Sequence, residues 1–155
     1  MRSTDRLRTA LTVVSLAAPL IAVVLTRLAW LPELPANVAF HWDAAGRPDG
    51  TVPAEALSTV AIVGSALGLL AGAAVLSLPR TTAKDKRDYL FLAGSLAGLP
   101  AGVWLVCAGL THAAGAAGRA ELGGWIAALA LAAFYGVVPY LLAPTSDHDT
   151  QKPPA

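Results

Sequence analysis

Charge is what this chain has least of. Ten acidic and eleven basic residues make up 14% of 155 positions, where a soluble domain carries about a quarter. Cysteine is nearly missing too. One residue, Cys107, excludes a disulfide framework and a cysteine-based zinc pattern. It sits in an apolar run and reads as a small buried side chain. Aromatic residues are 6% and the net charge is +1. No basic stripe alternates with aromatics, so nothing points to a nucleic-acid partner. The chain has no GxSxG, no HExxH and no helix with paired carboxylates. Within the apolar runs the one charge is Arg27, near the end of its run, which argues against a pump or a transporter acting alone. Four spans also leave little room for inverted repeats.

What the chain has is apolar length. Hydrophobic residues are 55% of it, and a membrane span needs about 20 of them in a row. Four runs meet that need, at about 10–31, 56–78, 89–110 and 122–142. The first reaches full length only if Arg27 snorkels to the interface, with Trp30 beside it. A cleaved signal peptide is its rival, but no small-x-small cleavage site follows the run. Pro19 is expected to kink the first span, and Pro100 lies inside the third. The composition therefore predicts an all-α membrane protein, one domain over 1–142 built as a small four-helix bundle. An ordered outer loop at 32–55 and a disordered, Pro-rich cytoplasmic tail at 143–155 complete it.

Orientation follows from the basic residues. Arg2, Arg6, Arg8, Arg80, Lys84, Lys86, Arg87 and Lys152 fall on one side of a four-span layout. Arg27, Arg47 and Arg119 fall on the other. The richer side is cytoplasmic, which places both termini inside and the 32–55 loop outside. Trp30 and Trp125 then mark outer ends, and Tyr89 and Tyr140 inner ends.

Small residues recur every four positions. Gly64, Gly68 and Gly72 do so in the second span, and Gly94, Gly98 and Gly102 in the third. Such spacing puts each set on one helix face, where small side chains let backbones approach in lipid. Two glycine triplets in successive spans predict a tight pair of helices that touch along these faces. Gly124, Ala128, Ala132 and Gly136 in the fourth span, and Ala18, Ala22 and Thr26 in the first, repeat the spacing. Spacing alone leaves open whether the ladders serve folding or self-association.

The longest polar interval between apolar runs is LPANVAFHWDAAGRPDG, residues 34–50. Pro48, Asp49 and Gly50 suit successive positions of a type I turn. Gly46 suits a left-handed backbone. His41 and Asp43, two apart, share a face on an extended segment, and Asp49 can fold back through the turn. These three are the candidate metal ligands. The other reading holds His41 by one Asp while the second Asp caps a turn. His112, at the outer end of the third span, lies on the same side.

Leu34-Pro35, His41-Trp42-Asp43, Gly46, and Pro48-Asp49-Gly50 together resemble the signature of domain-of-unknown-function family 1648. That family also forms the amino-terminal part of SdpI-type bacteriocin immunity proteins. The signature reads LP, a spacer, a Pro two before His, His-aromatic-Asn, Gly, then Pro-Asp-Gly, just after a first membrane helix. Asp43 stands in place of Asn and Ala39 in place of Pro. The Lys or aromatic after Asp-Gly is absent, and no carboxyl-terminal immunity module follows. The resemblance implies a non-enzymatic accessory or immunity-like protein of the bacterial plasma membrane, without cofactor. His41, Trp42, Asp43, Gly46, Pro48, Asp49 and Gly50 would face its ligand. The expected partners are the bilayer and a membrane protein or hydrophobic peptide, with self-association open. A metal sensor or metal-dependent enzyme at the outer surface is the second reading, and a small transporter subunit the third.

Overall fold

The computed structural model describes residues 3–78 and 82–144. Pro79, Arg80 and Thr81 of the middle loop, and the tail from Thr145 on, lie outside the described residues. So does the expectation of disorder for that tail.

Four helical segments are long and apolar enough to cross a membrane. The first, α1 (Ser3–Trp30), carries Asp5 in its first turn and Arg27 in its last, each favourable to the helix dipole. It is followed by two strands, β1 (Asn37–Trp42) and β2 (Pro48–Pro53), and then by α2 (Ala54–Ser77). The third, α3 (Ala83–Ala114), is longer than its apolar run because the charged stretch before Tyr89 is already helical. Thr82 caps it, accepting from Asp85 N–H at 3.1 Å. Gly115, at φ +67°, ends it in the left-handed conformation.

The fourth segment is broken. A 3-10 turn (Gly123–Trp125) leads into α4 (Ile126–Ala133), and α5 (Val137–Leu142) follows after three turn residues. Pro139 explains the break, since its ring clashes with the carbonyl four residues earlier, at Tyr135. Starting α5 at Val137 puts Pro139 in a first turn, where its missing N–H leaves no bond unmade.

The central helix is α3. Of its most apolar window 56% is buried, against 11% for the fourth segment. Its two faces explain the glycines. Gly68 of α2 lets the Ala93 and Ala97 backbone of α3 come close, since a Cβ there would stand 2.5 Å from Ala97 N. Ser65 Oγ donates to Ala97 O at 2.9 Å across the same seam. Gly64 meets the Pro100 ring, and Gly72 meets Leu16 of α1. The α3 triplet turns elsewhere: Gly94 meets Pro139, Gly98 meets Tyr135, and Gly102 meets Ala132. The shared spacing predicts that the two glycine ladders meet; α2 and α3 do pack closely at Gly68, but the ladders do not face each other. The α2 ladder receives α3 alanines, a proline and Leu16 of α1, and the α3 ladder receives the broken fourth segment. Spacing defines a face but says nothing of which neighbour fills it.

Two apolar clusters fill the bundle. One, at the hairpin end, joins Val23, Leu57, Ala61, Trp104 and Cys107 to Val38 of β1. The other, at the opposite end, joins Leu16, Leu90 and Ala93 to Ala143. Ala143 was expected to open the tail. It is instead buried, and its carbonyl accepts from Arg8 at 3.4 Å. Two polar pairs tie helices together inside: Trp104 Nε1 donates to Thr26 Oγ1 at 2.9 Å, and Tyr135 OH to Ser15 O at 2.8 Å, while the buried Ser95 Oγ and Arg87 Nε have no partner among the described residues. In lipid such bonds and close packing hold helices together, since apolar burial between helices gains little there.

Candidate functional site

The polar interval between α1 and α2 is a β-hairpin seated on one end of the bundle. Its base is closed by Ala54 N–H donating to Ala36 O at 2.9 Å. The strands are antiparallel, pairing Val38 with Val52, Ala39 with Thr51, His41 with Gly50 and Trp42 with Pro48. Phe40 on β1 and Asp49 on β2 are extra residues within this register, so the sheet carries two opposed irregularities that cancel. Pro48 and Pro53 fit because each strand has a free edge.

The turn lies at Asp43–Arg47, and not at Pro48-Asp49-Gly50 as turn propensity had predicted. Asp43 N–H donates to Arg47 O, and Gly46 N–H to Asp43 O, both at 2.9 Å. Gly46 has φ +76°, the left-handed value expected of it. The Asp43 carboxylate caps the turn by accepting from Ala45 N–H and Arg47 N–H at 2.9 Å each, and from Arg47 Nε at 3.0 Å. The Arg47 backbone N–H above all holds the Asp43 carboxyl below its ordinary value of 3.8; desolvation opposes it, and the Arg47 guanidinium and the Ala45 N–H add to the lowering.

Pro48, Asp49 and Gly50 belong to β2. Asp49 Oδ1 lies 2.5 Å from His41 Nδ1, so the ring N–H donates and the carboxylate accepts. The pair is exposed, at 73% for His41 and 47% for Asp49. Gly50 is small for a reason other than a turn: a Cβ there would stand 2.9 Å from the Cβ of His41 across the strands.

The three candidate metal ligands are thus divided. His41 and Asp49 are brought together, and the Asp43 carboxylate is directed into its own turn. Among the described residues no group of three His, Cys, Asp or Glu side chains is placed to hold a metal ion. His112 has other partners. It stacks on Trp30 with ring centres 5.7 Å apart, and its Nε2 is 3.7 Å from Glu33 Oε2.

The hairpin is fastened to the bundle at three points that local sequence did not indicate. Ala39 N–H donates to the buried Thr111 Oγ1 of α3 at 3.0 Å. A proline at 39, as in the resembled signature, has no N–H to give. Trp42 Nε1 donates to Ala120 O at 2.5 Å. Leu122 N–H donates to Gly46 O at 3.0 Å. Val38 and Ala39 are fully buried beneath, whereas Phe40, pushed out by the irregularity, is 45% exposed. Thr111, Ala120 and Leu122 are ordinary residues far along the chain, and no motif marks them. The indole N–H of Trp42, a residue expected to face a ligand, is engaged in this attachment.

Residues 18–64 match the family model described as Domain of unknown function (DUF1648). No curated protein and no solved structure matches the chain. The matched stretch runs from the middle of α1 through the hairpin to the middle of α2, and so contains the whole polar site. Through residues 18–64, this chain with four membrane-length helices is similar to the DUF1648 family.

Proposed function

We propose that this is a non-enzymatic protein of the bacterial plasma membrane that binds a partner through the outer rim of its hairpin. The partner is a second membrane protein or a hydrophobic peptide, as an accessory or immunity-like role requires. The observation that carries this reading is a rigid exposed rim. Phe40 and the His41–Asp49 pair stand exposed on a hairpin fixed to the bundle at three points. A preorganised surface with an exposed aromatic loses little entropy on binding, and aromatic side chains anchor interfaces. Basic residues support the orientation. Arg6, Arg8, Lys84, Lys86 and Arg87 lie at the end opposite the hairpin, so that end is cytoplasmic under the positive-inside rule.

The test is photocrosslinking in membranes from a reactive residue at position 40 or 41. One specific adduct, absent from position 45 on the turn tip, is the expected result. Equal, diffuse labelling from all three positions overturns the reading. Two observations favour the alternatives. The His41–Asp49 pair offers two ligands to a metal, and stoichiometric metal in the purified protein would replace the first reading with a sensor or metalloenzyme. The broken fourth segment resembles the discontinuous helices of transporters, and copurification with a larger transporter would favour a subunit role.

A further inference from the structure

A second polar site lies beside the hairpin, where α1 ends and α2 begins. Arg27, in the last turn of α1, and Glu55, in the first turn of α2, line one cavity of about 410 Å³ with Leu28, Leu31 and Pro32. The Arg27 guanidinium donates to Ser58 Oγ, whose hydroxyl donates in turn to Glu55 O at 2.9 Å. Among the described residues neither the guanidinium nor the Glu55 carboxylate belongs to an ion pair. One cavity thus has a cationic wall, an anionic wall and an apolar wall, and Leu28 at its edge is 70% exposed. It sits at the ends of two spans, the depth at which lipid headgroups lie.

We propose that this cavity binds the headgroup of a zwitterionic phospholipid with a primary ammonium, a phosphatidylethanolamine. The planar guanidinium of Arg27 holds the phosphodiester, for which its fork of donors is suited. The Glu55 carboxylate accepts from the ammonium. Leu28, Leu31 and Pro32 cover the glycerol ester and the first methylenes. Charge complementarity selects this occupant over its rivals. A net-anionic glycerol headgroup can pair its phosphate with Arg27 but offers no ammonium to Glu55. A quaternary ammonium has no N–H to donate to it. The proposal does not depend on the partner-binding reading, because it uses no residue of the hairpin.

Native mass spectrometry of the purified full chain, with phosphatidylethanolamine, phosphatidylcholine and phosphatidylglycerol of matched acyl chains, tests it. The ethanolamine lipid should bind about fivefold tighter than the choline lipid, which is about 1 kcal/mol. Glu55→Gln should abolish that preference and leave phosphate-dependent binding in place. Arg27→Gln should weaken all three lipids by about tenfold. If Arg27→Gln does not fold, Arg27→Lys keeps the charge but loses the fork, and the Glu55→Gln comparison decides alone. Equal binding of ethanolamine and choline lipids by the wild-type chain, strongest binding of the glycerol lipid, or a preference that survives Glu55→Gln would each overturn the proposal.

Discussion

Replacing Gly68 by alanine adds one methyl group at the tightest part of the α2–α3 seam. The new Cβ would lie 2.5 Å from Ala97 N and 2.7 Å from both Ala93 O and Ala97 Cα. Ordinary contact begins at 3.4 Å, so the helices must part locally by close to an ångström. The obstructing atoms are all backbone, so no side-chain rotation relieves the clash. A gap of 0.5–1 Å forfeits about a quarter to a half of each dispersion contact it opens. It also stretches the Ser65–Ala97 hydrogen bond. Overpacking of this kind costs about 1–3 kcal/mol, although alanine is the better helix former by about 1 kcal/mol and offsets part of it. A net loss of up to about 2 kcal/mol remains, or a fall in Tm of up to about 4–8 °C at about 2–4 °C per kcal/mol. Thermal unfolding in detergent measures it. Gly124→Ala is the control, because a Cβ there has nothing within 4 Å. If Gly68→Ala is as stable as Gly124→Ala, the seam is not close-packed and the account of the α2 ladder fails.

Three further outcomes are expected. Thr111→Val leaves the buried Ala39 N–H without its acceptor, at a cost of about 1–3 kcal/mol, and amide exchange should rise across Asn37–Trp42 while the α2–α3 seam stays protected. Asp43 has a folded pKa below its ordinary 3.8, so its capping contributes stability above that value and loses it as pH falls through the lowered folded value. Protease access to the turn should therefore increase with acid, and Asp43→Asn should remove that dependence. In intact cells, cysteines at positions 45 and 116 should react with an impermeant thiol reagent and one at 83 should not, and labelling of 83 alone would reverse the orientation.

The apolar segments were legible because lipid imposes a length and a charge rule that the chain obeys without exception beyond Arg27. The positive φ of Gly46 was legible because few residues tolerate it. The hairpin was not. Period-2 alternation fails where Phe40 and Asp49 interrupt the register, and Pro48, Gly50 and Pro53 read as breakers although they occupy strand positions. The pairing of His41 with Asp49 was within reach of spacing, and the choice of Asp43 as the turn cap was not, since either aspartate suits either role. The break in the fourth segment was signalled weakly by Pro139. The destination of each glycine face depends on how the helices are arranged around α3, which no local pattern encodes.

The three attachments of the hairpin differ in when their partners exist. The hairpin leaves the ribosome with α1 and α2, long before Ala120 and Leu122 have been made. Thr111 arrives first, with the end of α3, and can secure Ala39. The Trp42–Ala120 and Gly46–Leu122 bonds wait for the connection that leads into the last segment. The rim that carries Phe40 and His41 therefore gains all three attachments only once the chain has been made as far as Leu122. A chain made only through α3 has the Thr111 attachment and lacks the other two.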